Sequence, residues 1–130
     1  ATLDGAKAAI VRLQAMMAPA GPRCVLITSL RTDDTPAEAI DMLVGEGGAF
    51  HRLRTPLHPL SINGAGDAIA ALFLFHRLRS GSAVVALQEA GSAIHGLLAR
   101  TAVAGSREIL TVAAQEEFVN PSSRFVAAAC

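Results

Sequence analysis

The sequence has no tryptophan, no tyrosine and only five phenylalanines in 130 residues. A core so poor in aromatics lacks the side chains that bury the most area each. Alanine, which favours helix but fills little volume, has to compensate. Its single lysine, Lys7, leaves no place beyond Gly5 for a phosphate loop ending in Gly-Lys-Ser/Thr. Two cysteines, Cys24 and Cys130, cannot make a disulfide framework or a four-thiolate zinc site. Reduced thiols and a cytoplasmic location are therefore expected. Net charge is absent too, eleven Lys and Arg balancing eleven Asp and Glu. That removes the electrostatic footprint of a nucleic-acid or anionic-membrane binder, so neither partner is expected. The longest apolar run, Ala68–Phe75, is far shorter than the roughly 20 residues that span a bilayer. No basic stretch leads into an apolar one at the start, so no signal peptide is expected.

What remains is core-forming material, with 52% hydrophobic and 17% charged residues. The length suits one domain, and residues 1–130 are expected to form a single unit. Apolar residues at Ala6, Ala9, Ile10, Leu13 and Met17 have helical spacing and predict a helix over Leu3–Met17. Thr2 or Asp4 can cap it, and Pro19, Gly21 and Pro22 end it. The nearly continuous apolar run Cys24–Leu30 predicts a strand buried on both faces, the pattern of a parallel sheet. After a polar loop at Arg31–Ala37, two strands, Ile40–Val44 and Ala49–Thr55, flank the turn Gly45-Glu46-Gly47-Gly48. Helices are predicted over Ala65–Arg79 and Ala83–Ala104, broken by Ser80-Gly81-Ser82 and stopped by Gly105. Ile109–Val112 is a further candidate strand, and Ala127–Cys130 is expected to fray. The alternation of helix and buried strand predicts an α/β fold.

Chemistry is concentrated in Gly64-Ala65-Gly66-Asp67, where irregular backbone becomes an apolar helix. The first N–H groups of a helix lack internal partners and carry partial positive charge. Glycine, and alanine nearly as well, lets a phosphate approach them closely. Asp67 has two readings. It can favour the helix as a first-turn acid, or it can take the proton of a hydroxyl attacking a phosphoryl group.

The longer string Ser61–Ala71 resembles the second signature of the ribokinase-like small-molecule kinases, in which Gly-x-Gly-Asp opens a helix. Four further stretches resemble the C-terminal half of the pyridoxal kinases within that group. They are Val25–Leu30, Leu53–Leu57, Ala93–Leu98 and Glu108–Gln115, and they occur in the family's order. The resemblance implies the C-terminal half of a ribokinase-like fold, mainly parallel sheet with flanking helices and a β-hairpin. It implies ATP-dependent phosphorylation of the 5′-hydroxymethyl group of pyridoxal, with magnesium accompanying the ATP. By the same resemblance Asp67 is the catalytic base and touches the substrate, and Gly64, Ala65 and Gly66 form the anion hole. Thr28, Thr55, Pro56, Leu57 and His58 lie along the nucleotide. The family's Asn-x-x-Glu motif, which organises the magnesium-bound phosphates, has no counterpart here, where the asparagines are Asn63 and Asn120. Little pyridoxal phosphorylation is therefore expected from this chain alone, and a homodimer is expected of the full-length enzyme. Alternatives are a hydroxymethylpyrimidine-type kinase of the same group, or a non-catalytic nucleotide-binding or assembly fragment.

The other candidates have plain readings. His51, His58, His76 and His95 lack the i, i+4 spacing around a glutamate that a helical zinc site needs, so no metal site is expected. His76 and His95, on apolar helices, read as packing or interface residues. Arg52 and Arg54 read as a solvated strand face or phosphate contacts, and Asp33 and Asp34 as loop carboxylates.

Overall fold

The structure, a computed structural model, describes residues 1–59 and 61–130. Helix α1 (Leu3–Met16) precedes strands β1 (Val25–Leu30), β2 (Ala39–Glu46) and β3 (Ala49–Pro56). Helices α2 (Ala65–Ser80) and α3 (Ala83–Val103), a single turn α4 (Glu116–Val119) and a short strand β4 (Ala128–Ala129) follow. No helix among the described residues is long and apolar enough to cross a membrane.

Local chemistry accounts for the helix ends. The Thr2 hydroxyl accepts the Gly5 N–H at 3.0 Å and caps α1. The Ser82 hydroxyl accepts the Val85 N–H at 3.2 Å and caps α3. Arg77 and Arg79 occupy the last turn of α2, at its negative end.

The strands form one sheet in the order β1-β2-β3-β4, with every neighbouring pair antiparallel. This corrects the expectation of a mainly parallel sheet. A parallel return needs a crossover of a dozen or more residues, and residues 31–38 between β1 and β2 are too few. Nor is β1 buried on both faces. It lies at the sheet edge, and Thr28 and Ser29 are exposed. Its apolar run serves two neighbours in alternation, Val25 and Ile27 packing toward α1 and Leu26 toward the opposite layer.

Other boundaries move as well. Gly45 and Glu46 belong to β2 and pair with Phe50 and Ala49, so the turn shrinks to Gly47-Gly48. Both glycines have positive φ, 60° and 79°, as a tight two-residue hairpin requires. Ile109–Val112 is not a strand. A single parallel bridge joins Asn63 to Glu108, and then Leu110 O accepts the Ala114 N–H in a turn. The C-terminus is held rather than frayed, with Ala128 and Ala129 paired to β3 and the Cys130 N–H donating to Phe50 O.

The sheet separates two apolar layers. On one face Leu43 meets Ala6 and Ile10 of α1. On the other, Met42, Val44 and Leu53 meet α2 and α3 through Ile69, Leu72, Leu87, Ile94 and Leu97. The second layer is the larger and places the start of α2 beside the ends of β1 and β3.

Candidate functional site

The start of α2 is built by its neighbours. Asn63 exchanges backbone hydrogen bonds with the 107–109 segment, donating to Arg107 O at 2.8 Å and accepting from the Ile109 N–H at 3.1 Å. Its side chain donates to Glu108 Oε1 at 3.1 Å. Gly64 then turns the chain with φ of 85°, a left-handed conformation that costs other residues roughly 1–2 kcal/mol. It brings no side chain to cap the helix. The first amide of the helix start to find a backbone acceptor is that of Ala68, bonded to Gly64 O at 3.0 Å. Among the described residues, the amides of Ala65, Gly66 and Asp67 have no such partner. Three donors at the positive end of a 16-residue helix thus face outward together. Asp67 stands exposed in this first turn, one residue beyond Gly66.

A cavity of about 240 Å³ opens beside this turn, between the sheet and α3. Thr28, Thr55, Pro56, Leu57, His58, Ala65 and Gly66, all singled out from the sequence, line it. Gly64 and Asp67 are not among its lining residues. A second hollow, of about 350 Å³, shares Thr28, Gly66 and Ile69 and extends along Cys24, Leu26, Ala70 and Phe73. Gly66 therefore sits between two recesses.

Among the polar residues of the wall, sequence reasoning missed Asp41, Ser29 and His95. Ser29 lies in a bulge where Thr28 and Ser29 together oppose Met42, and its φ is 54°. Nothing in the sequence marks this, because serine is not a usual left-handed residue. His95 reaches the cavity from α3, and its Nδ1 lies 3.2 Å from His58 Nε2. The one signal was a histidine in the middle of an apolar helical stretch. Burial lowers the affinity of His58 for a proton, opposed in part by the His95 backbone. Burial likewise lowers that of His95; the neighbouring His58 adds to the effect and Glu117 opposes it.

Arg52 and Arg54 turn out to be committed elsewhere. Asp41, fully buried on β2, receives Arg54 Nε at 2.7 Å and Nη2 at 2.8 Å. It also accepts from the Thr35 hydroxyl at 2.8 Å. Arg52 donates to Asp34 at 2.8 Å. Burial pushes the Asp41 carboxyl upward, but the bonds from Arg54 and Thr35 outweigh it and hold it below the ordinary carboxylate range. The Thr32 hydroxyl and then Arg52 lower Asp34 to about 2.

The described residues contain no group of three or more His, Cys, Asp or Glu side chains placed to hold a metal ion.

No protein-family model matches the sequence. The chain is 59% identical over 129 residues to pyridoxal kinase PdxY of Granulibacter bethesdensis, covering 99% of this chain and 45% of the relative. It is 49% identical over 128 residues to pyridoxal kinase PdxY of Deinococcus radiodurans, covering 97% and 43%. In three dimensions it resembles pyridoxal kinase from Leishmania donovani in complex with ADP, with a TM-score of 0.79 and 22% identity. That match covers 98% of this chain and 44% of the other, and it bears on the fold alone. The chain thus spans somewhat under half the length of the relatives it matches.

Proposed function

We propose that this chain, homologous along nearly all of its length to part of the pyridoxal kinases, is the nucleotide-side portion of an enzyme that phosphorylates pyridoxal. Residues 1–130 act in it as one unit, and the whole works in the cytoplasm with ATP as donor. The observation that carries the proposal is the turn at Gly64–Asp67. Its amides of Ala65, Gly66 and Asp67, without a backbone partner among the described residues, open next to a cavity that gathers the five predicted nucleotide residues.

In this reading the nucleotide lies along Thr55-Pro56-Leu57-His58, with Thr28 directed toward its phosphates. The amides of Gly64, Ala65, Gly66 and Asp67 stabilise charge on the γ-phosphoryl as it moves. Asp67 takes the proton of the attacking 5′-hydroxymethyl group and touches that substrate. The position of Gly66 between two recesses suits transfer between two bound molecules. Magnesium enters bound to the phosphates of ATP, and the chain's part is to receive the charge-compensated triphosphate. The homodimer expected of the full-length enzyme belongs to the same proposal.

The test joins this chain to the N-terminal portion of the Granulibacter relative. Asp67→Asn in that hybrid should lower kcat by about two orders of magnitude or more while Mg-ADP affinity changes little. Near-normal turnover would remove Asp67 from the base role. Failure of the parent chain to bind Mg-ADP would remove the nucleotide assignment.

A further inference from the structure

We propose that His95 is a positioning residue for the nucleotide stretch, holding its loop part, Leu57–His58 just after β3, against α3 through its hydrogen bond to His58. The inference rests on the proposed nucleotide site and deepens it.

The loop is oddly arranged for its composition. Leu57 is 36% exposed while the polar His58 is half-buried. Burying an imidazole and leaving a leucine out runs against ordinary partition, and an imidazole turned inward needs a partner. His95 Nδ1 supplies it at 3.2 Å, with the ring centroids 4.7 Å apart. Pro56 has no N–H, and the Leu57 N–H is bonded to Glu38 O at 2.8 Å, which ties the loop toward β2. The bond between the histidines is what ties it to α3.

His95 is itself firmly placed. The Phe125 ring meets it edge-on, with centroids 4.8 Å apart and the planes at 73°. The Phe125 N–H donates to Ser92 Oγ at 3.0 Å, one turn earlier on α3. Charged side chains sit on three neighbouring elements, and of these Glu117 acts on the pair. Glu117 of α4 faces His95 and is itself held by Arg100. Asp41 contributes to the cavity wall from β2, with its carboxylate bound to Arg54 and Thr35. Asp67 stands exposed on α2.

The geometry sets a protonation rule. An N–H···N bond between two imidazoles needs one ring nitrogen as acceptor, and two imidazolium rings offer none. Burial disfavours both charged forms, so the hold is present above the ordinary histidine range. It is lost as the pH falls through the depressed folded values.

Two measurements on this chain test the idea. Imidazole NMR titrations should show both rings titrating below the ordinary value, and His58→Gln should displace the His95 curve. Independent titrations would overturn the pairing whether or not nucleotide binds. Calorimetry with Mg-ADP at pH 7.5 should show His95→Phe weakening affinity about tenfold, the loss of one positioning bond. His95→Asn, whose amide falls near the Nδ1 position, should stay within about threefold of the parent. It should also lose part of the parent's weakening in acid. An unchanged His95→Phe, or a His95→Asn as weak as His95→Phe, sinks the proposal. If His95→Phe does not fold, His58→Phe asks the same question from the loop, with the same expected loss. A parent chain that binds no Mg-ADP fails the nucleotide reading, and the ring titrations then judge the pair alone.

Discussion

The loop at 31–37 and the turn at 63–67 both connect neighbouring elements, yet they use their polar groups in opposite ways. In the first, Thr32, Asp34 and Thr35, together with Asp41 of the adjoining β2, are bonded to one another or to Arg52 and Arg54. In the second, three amides and an exposed carboxylate have no hydrogen-bond partner among the described residues. A polar group fully satisfied by its own chain stabilises the fold and can do little else. One held rigidly but unpartnered costs stability and remains available to a ligand. Substitutions in the first region should therefore appear in stability, and those in the second in binding and turnover.

The sharpest break is Asp41→Ala. It strands the Arg54 guanidinium and the Thr35 hydroxyl beside a buried strand, and it should destabilise the fold by about 3 kcal/mol, within the range for removing one partner of a buried pair. Urea denaturation measures this. Asp67→Ala should shift the same midpoint hardly at all, since Asp67 is exposed. Acid should expose the same contrast. Asp41 and Asp34 have folded values below the ordinary carboxylate range, so their stabilisation is complete above about pH 4. It is lost as the pH falls toward 2, where Asp34 titrates. Asp41→Asn should flatten that part of the stability profile. An unchanged profile would show that the network contributes nothing.

These two regions were unequally legible in the sequence. The turn announced itself, because a glycine-rich tetrapeptide ahead of an apolar helix has few structural uses and a clear electrostatic one. All three long helices emerged within a residue or two, since α1, α2 and α3 carry their caps and breakers in the sequence. Strand direction was misjudged because the apolar run of β1 was weighed above the shortness of the loop that follows it. The Asp41–Arg54 pair was not legible at all. It depends on the β2–β3 register that sets Asp41 opposite Arg54, and register shows only once the turn is known to be two residues long. His95 was hidden for a similar reason, since its partner lies 37 positions earlier in a loop.

The glycines of the turn sharpen the comparison at smaller amplitude. A Cβ on Gly66 would meet no atom within 4 Å, so Gly66→Ala should fold as well as the parent or slightly better. That methyl would occupy the approach to the amides, and Mg-ADP affinity should fall about tenfold. Gly64→Ala should instead cost about 1–2 kcal/mol through its φ of 85°, and its Cβ would crowd Ile109 Cγ2 at 3.0 Å. If Gly66→Ala bound nucleotide normally, the open amides would not be the phosphate site.

Ser29 tests the rule where the two regions meet, at the smallest scale. It lies in the β1 bulge on the cavity wall, yet its φ of 54° is strained for a side chain. Ser29→Gly removes that strain, and the greater freedom of glycine in the unfolded chain takes back part of the gain. The net should be about 0.5 kcal/mol of added stability. Ser29→Val, β-branched at positive φ, should lose about 1–2 kcal/mol. Urea midpoints for the pair settle the sign. A Ser29→Gly variant no more stable than the parent would mean that the bulge is held without strain. Its conformation would then be a consequence of the β1–β2 register rather than a cost accepted for the site.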